Sequence, residues 1–369
     1  MTTAVSADDD LYRPKKYTAN LPTNRFLRRL HKLLVPRSLM RFVQKRMEAR
    51  LLSGIPVKIN AGDILLLPDS PWQEPIWDAV DQALSEGATL GIVQHDFIPL
   101  EHPELVPPEN TEIFRRWADA SLQRAHYVIA VSQTIAAETR ARLTKLGRRN
   151  VGEHCVTAFR NGADLPPPTS SDAIRQELID FIGPEGDGPY VTVGTVEPRK
   201  NQSTLLAAIS QVLARAPDAR FLIAGVVGWN GKPIAESIRQ HPGWPSNVRH
   251  FSDLTDAELR FAYKHAKAVV FPSLAEGYGL PIVESLANGT RVFASDIPVH
   301  REIGEPHCVF FDPRNPTRLA EALVAHHLNG EYAASWPPSE YELPTWHDAA
   351  NTIVETSLRY AHRYVNNRN

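Results

Sequence analysis

The sequence predicts an α/β protein built from two doubly wound domains, and three observations carry that prediction. From about Tyr190 onward, short and continuously apolar runs alternate with longer helical stretches. The runs are Tyr190–Val193, Phe221–Ala224, Val248–Phe251, Ala268–Phe271, Arg291–Ala294 and Val309–Phe311, with helices such as Gln202–Ala214 and Asp256–Ala266 between them. Runs of this kind suit strands covered on both faces, and strand–helix alternation implies parallel βαβ units. A weaker version of the pattern precedes it, with strands at Ile64–Leu67, Leu90–Val93, Val128–Val131 and Val156–Phe159 and helices over Ile113–Arg124 and Thr134–Leu146. Finally, Asp164-Leu-Pro-Pro-Pro-Thr-Ser-Ser171 has the stiff, polar composition of a linker. The 369 residues are too many for one ordinary core and suit two. The expected division is a first Rossmann-like domain over 1–167, a second over 168–345, and a closing segment over 346–369.

Composition narrows the function. Hydrophobic residues make up 43% and charged residues 22%, as in an ordinary globular chain. A formal net charge of -2 excludes a nucleic-acid binder that relies on a global basic field. The two cysteines, Cys155 and Cys308, are far apart and imply neither a disulfide framework nor a zinc site. Met1 to Asp10 has no apolar signal-like core, and no run of eighteen apolar residues occurs, so a cytoplasmic location is expected. Residues 25–50 stand apart, with nine Arg or Lys against the single Glu48 and regularly interleaved apolar residues. Pro36 divides them into two amphipathic helices. Two readings stand for this segment: surface helices packed on the first domain, or peripheral contact with an anionic membrane.

The stretch richest in chemistry is Phe271-Pro-Ser-Leu-Ala-Glu-Gly-Tyr-Gly-Leu-Pro-Ile-Val-Glu284-Ser-Leu-Ala-Asn-Gly289. It leaves a buried strand, turns through a Gly-rich loop and enters a helix, with Pro281 near the start and Gly289 at the stop. Amides around Gly277, Tyr278, Gly279 and Leu280, with the helix start, offer a place for an anion such as a diphosphate. Glu276 and Glu284 bracket that loop. Carboxylates beside a phosphate-binding backbone suit hydrogen bonds from hydroxyls, as in sugar and ribose recognition. Upstream, Gly194-Thr-Val-Glu-Pro-Arg-Lys-Asn201 places Arg199 and Lys200 after the second domain's first strand, at the edge where ligands bind in doubly wound sheets.

The first string resembles the E-x7-E signature of the retaining glycosyltransferases of family 4, and the match is nearly complete. Val93-Gln-His-Asp-Phe-Ile-Pro-Leu-Glu-His-Pro103 is similar to that family's His-Asp segment. Many members carry Arg directly after the glycine, where this chain has Thr195. The resemblance covers about residues 90–330. It implies the GT-B architecture, two Rossmann-like domains facing a cleft, here with an N-terminal domain shortened at its start. By resemblance, the closing segment Trp346–Tyr364 would cross back to the first domain. It further implies a metal-independent transferase without cofactor, using a nucleotide-sugar donor of the GDP-mannose type and a saccharide or lipid-linked acceptor in surface polysaccharide synthesis.

The same resemblance distributes the roles. Lys200, Arg199 and the 277–280 amides would stabilise the departing diphosphate, Glu276 would orient sugar hydroxyls, Glu284 would grip the ribose, and His95 would position the sugar from the opposite domain. Asp96 would do that or only cap the following turn, and Ser295–Gly304 would be structural. The only Asp-x-Asp match, Asp8-Asp9-Asp10, lies in the N-terminal tail and is not read as a metal site. Two other readings use the same motifs: a non-catalytic subunit that binds nucleotide-sugar, and an epimerase or phosphorylase on the same fold.

Overall fold

In the computed structural model, residues 58–148, 155–164, 173–183, 188–331 and 343–366 are described, and all but Lys58 belong to one compact unit, Ile59–Asn369. The N-terminal tail, the basic segment 25–50 and most of the Pro-rich linker lie outside the described residues.

The first sheet contains β1 (Ile64–Leu67), β2 (Thr89–Gln94), β3 (Tyr127–Ala130) and β4 (Val156–Ala158), parallel and in chain order. Strands β2 and β3 are buried at every position, whereas β1 at the sheet edge is half-buried throughout. Helices α1 (Trp77–Ser85), the short α2 (Ile98–Glu101), α3 (Pro108–Arg124) and α4 (Gln133–Lys145) connect the strands. Helix α3 begins five residues before the expected Ile113. Pro108 supplies a fixed φ at a first-turn position where no amide donor is needed.

The second sheet holds β5 (Tyr190–Val193), β6 (Phe221–Ala224), β7 (Val248–Phe251), β8 (Ala268–Phe271), β9 (Val292–Ser295) and β10 (Cys308–Phe311). Its order is β10-β9-β8-β5-β6-β7, parallel throughout. The connecting helices are α5 (Gln176–Ile182) before it, then α6 (Gln202–Leu213), α7 (Lys232–Gln240), α8 (Asp256–His265), α9 (Leu280–Ala287), α10 (Pro298–Gly304) and α11 (Pro316–Asn329). The direction of winding reverses between β5 and β8. Loops leaving those neighbouring strands splay apart and leave a crevice at their carboxyl ends, where doubly wound sheets bind ligands.

One apolar core runs from Leu90, Ile92 and Ile129 of the first sheet to Tyr278, Ile282 and Val283 at the start of α9. The last helix, α12 (Trp346–Asn366), lies on the first sheet, where Tyr360 stacks on Tyr127 with ring centroids 5.1 Å apart. Its start is tied by the Trp346 amide donating to Asp164 Oδ1 at 2.6 Å. Among the described residues no helix is long and apolar enough to cross a membrane.

Gly91 in the middle of β2 has no room for a side chain, since a Cβ would overlap the Tyr127 ring. That ring is fully buried and pinned under Tyr360. Gly91→Ala is therefore expected to lower unfolding stability by about 3 kcal/mol through overpacking, read by chemical denaturation. A change of less than about 0.5 kcal/mol, the scale of an ordinary surface substitution, would mean that the stack yields freely.

Candidate active site

The site is built from the two loops at the winding reversal. After β5 the chain turns at Gly194 with φ +142, a conformation that L side chains rarely adopt, and the space beside it is filled by the Lys200 side-chain stem. A single 3-10 turn, Pro198–Lys200, then presents two cations, and Asn201 closes it in the left-handed conformation. Asn201 Nδ2 donates to the Pro272 carbonyl at 3.0 Å and the Pro313 carbonyl at 2.8 Å, and the Leu274 amide donates to the Arg199 carbonyl at 2.8 Å. These bonds lock the loop after β5 to the loops after β8 and β10.

Locked in this way, Arg199 and Lys200 converge on one carboxylate. Arg199 Nη1 donates to Glu276 Oε2 and Lys200 Nζ to Glu276 Oε1, each at 2.6 Å. Arg199 also holds Glu197 at 2.8 Å, and Lys200 lies over the Phe271 ring at 4.8 Å. Glu276 is only 9% exposed. Burial pushes its carboxyl up, but Lys200 and Arg199 together outweigh that and hold it at about 2. The group is thus an anion at any physiological pH, an acceptor of hydrogen bonds and unsuited to carry a proton.

Helix α9 starts beyond Gly279, whose φ of +111 suits glycine, and Leu280 and Pro281 form its first turn. Glu284 sits one turn in and accepts the Tyr263 phenol at 2.7 Å, while burial pushes its carboxyl above the usual range. Two residues expected at the donor also serve the contact between the sheets. Gly277 is packed so tightly beneath the first sheet that a Cβ would overlap the His95 carbonyl oxygen, and its own carbonyl accepts Ser132 Oγ at 3.0 Å. Tyr278 is buried with its hydroxyl donating to the Asn161 carbonyl at 3.3 Å, so its ring faces the core and only its backbone belongs to the loop.

His95 and Asp96 enter from the other side. His95 Nε2 lies 2.8 Å from the Pro68 carbonyl, a partner that only accepts, which assigns the ring proton to Nε2. Asp96 Oδ1 accepts the Ile98 amide at 2.9 Å and therefore does cap the following turn. Burial raises its carboxyl, and both Arg199 and Glu276 are close enough to act on it. Together with Thr195, Glu197 and Arg199 these residues line a cavity of about 470 Å³, and Glu276 lines a second one of about 400 Å³.

Two side chains stand out within residues 295–304, the segment read as structural. Glu302 accepts the Gln133 amide at 2.6 Å, the Thr134 amide at 2.8 Å and the Thr134 hydroxyl at 2.7 Å, bracing α10 against the start of α4. His300 is fully buried, with Nδ1 at 3.0 Å from the Ser295 carbonyl. It lies just past the carboxyl end of β9, on the ligand edge of the sheet. Burial lowers the His300 imidazole to about 4, against the pull of Glu276. A base whose folded value lies below its unfolded one binds fewer protons folded than unfolded in between. Stability therefore falls as the pH drops from about 6.5 toward 4. His300→Asn, which can keep the donor to Ser295, should flatten that slope by roughly 3 kcal/mol at most, as measured by denaturation at pH 7, 5.5 and 4.

With this geometry in place, comparison with known proteins identifies the region that carries it. The profile of the Glycosyl transferases group 1 matches residues 175–338, the region that carries both loops. This region is a group 1 glycosyl transferase domain. The serotype-specific mannosyltransferase WbdA of Escherichia coli is 28% identical over 306 residues, covering 81% of this chain and 37% of that protein. The chain thus spans little more than a third of that relative's length. The O-antigen chain mannosyltransferase B of Escherichia coli is 25% identical over 246 residues, 66% of this chain and 61% of that one. A phosphatidyl-myo-inositol mannosyltransferase of Mycolicibacterium smegmatis is 33% identical over 145 residues, 39% of this chain and 35% of that one.

Solved structures show the shared fold of the group 1 transferase domain and its partner sheet. Sucrose-phosphate synthase from Thermosynechococcus elongatus superposes with a TM-score of 0.55 at 20% identity, over 89% of this chain and 75% of that one. An α,α-trehalose-phosphate synthase (UDP-forming) from Burkholderia vietnamiensis gives 0.55 at 12% identity, over 87% and 71%. The architecture is GT-B, two Rossmann-like domains, as the sequence predicts.

Proposed function

We propose that this chain is a cytoplasmic, retaining and metal-independent mannosyltransferase that takes mannose from a GDP-mannose-type donor and passes it to a growing surface polysaccharide. The observation that carries the reading is the Glu276 carboxylate clamped between Arg199 and Lys200 at the winding reversal of a group 1 transferase domain. The names of the relatives, a mannosyltransferase WbdA and an O-antigen chain mannosyltransferase, support the sugar and the product class.

Arg199 and Lys200 carry the charge that develops on the departing diphosphate, in place of a metal ion, together with the amides from Gly277 to Leu280. Glu284 takes the ribose hydroxyls. Glu276 orients the sugar, with its own oxygens already fixed by the two cations, so the sugar meets a preset acceptor and not a mobile one. The bond from the sugar's anomeric carbon to the phosphate oxygen breaks, the bond to the acceptor oxygen forms on the same face, and the acceptor's proton goes to the departing phosphate. No side-chain base is required. Glu276, held at about 2, would be a poor one.

The test is a thermal-shift panel of GDP, UDP and dTDP followed by transfer from GDP-mannose, with the product anomer read by NMR. A ligand at 100 times its dissociation constant adds about 2.7 kcal/mol to native stability, so a GDP-selective rise in melting temperature and an axial product linkage are expected. A shift with UDP alone, or inversion at the anomeric carbon, rejects the donor or the stereochemistry respectively. A GDP shift with no turnover in any acceptor screen favours a binding subunit.

A further inference from the structure

The cavity between the two sheets has a wall that the donor chemistry does not use. Trp72, on the loop after β1, and Trp229, on the loop after β6, meet across it with ring centroids 6.3 Å apart and planes at 73°. Trp72 is backed by the buried Phe114, edge to face at 5.4 Å, so its orientation is set by the first domain's core. Trp229 belongs to the second domain and is 47% exposed. Its exposure is imposed by its loop. Val196 and Val227 form a β-bridge, the Gly228 amide donates to the Val196 carbonyl at 3.0 Å, and Asn230 adopts φ 53. A Cβ at Gly228 would overlap the Thr195 methyl, and one at Gly231 would overlap the Val196 carbonyl, so the turn fits only with glycine at both places. A large indole is thus held out beside a polar cavity by a constrained turn.

The polar groups around it indicate what. Asp69, Glu197 and Asp96 supply carboxyl oxygens and His95 a ring nitrogen. Among the described residues lining the cavity, Arg199 is the single Lys or Arg, and its guanidinium already holds both Glu197 and Glu276. A phosphorylated headgroup would meet carboxylates there and an occupied cation. A neutral pyranose would meet hydrogen-bond acceptors for its hydroxyls and, for its C–H face, an aromatic ring, the combination of apolar wall and few placed polar groups that small-molecule sites use.

We propose that Trp229 and Trp72 form the stacking wall of the acceptor subsite, and that they select a neutral glycan end over a phosphorylated lipid headgroup. This rests on the transferase reading above and specifies its acceptor. The experiment is calorimetric titration of the whole chain, saturated with GDP, with neutral α-mannotriose and separately with myo-inositol 1-phosphate. The trisaccharide is expected to bind at least about tenfold more tightly than the inositol phosphate. Trp229→Ala is expected to weaken it about tenfold, the equivalent of one lost aromatic contact, while Trp229→Tyr recovers most of the loss. Equal affinity for the two probes, no binding of the trisaccharide, or an unchanged affinity in Trp229→Ala overturns the inference. Failure of GDP itself to bind the wild type would instead reject the donor reading on which it rests.

Discussion

Glu276→Gln is expected to reduce the turnover of sugar transfer by about 10²- to 10³-fold, the scale of removing one preorganised electrostatic contact from an active site. The substitution keeps the shape and hydrogen-bonding reach of the side chain but removes the charge that Arg199 and Lys200 share at 2.6 Å each. In the proposed mechanism the two cations, relieved of their anion, are left to hold the diphosphate. The donor KM should therefore stay level or fall while kcat collapses, and steady-state kinetics with varied donor separates the two. Loss confined to KM would mean that Glu276 only binds ground-state sugar. Glu276→Ala and Lys200→Ala should also abolish transfer. Glu276→Ala is also expected to lower unfolding stability by on the order of 3–5 kcal/mol, the range for breaking a buried pair, because the position is 9% exposed and lies between two cations.

Gly277→Ala should be nearly as damaging by a different route. A methyl at that position would overlap the His95 carbonyl oxygen, a rigid backbone atom at the end of β2 that cannot rotate away. Either the loop after β8 or the first sheet must move. Because Gly277 directly follows Glu276 in the chain, a displacement of about 1 Å there is expected to cost on the order of 100-fold in kcat/KM. The Ser132–Gly277 hydrogen bond at 3.0 Å would be lost with it. Unaltered kinetics and melting temperature in this variant would show that the two sheets approach less closely in solution than the overlap demands.

Much of the fold was legible because the signals are local. Short, largely apolar runs flanked by turns place each described strand within one or two residues of its position, most directly in β6 and β8, which are buried and apolar at every position. The Pro-Arg-Lys-Asn turn and the Glu276-to-Glu284 string were legible for the same reason, as short segments whose glycines and caps dictate their own backbone. The spacing could not say that Arg199, 77 residues before Glu276, would close on that carboxylate, nor that Gly277 would lie beneath His95.

The sequence by itself determined two sets of parallel βαβ units, the loop that carries Glu276, and the cations in the loop after β5. The tertiary structure alone decided the strand order that sets β5 beside β8, the sharing of one carboxylate by two cations, the burial of His300 and the meeting of Trp72 with Trp229. The physical reason is the same in each case. A strand apolar on both faces carries no face preference that would name its neighbour, so pairing order is fixed by how helices and loops pack around the finished sheet. The contacts at the crevice are consequences of that order.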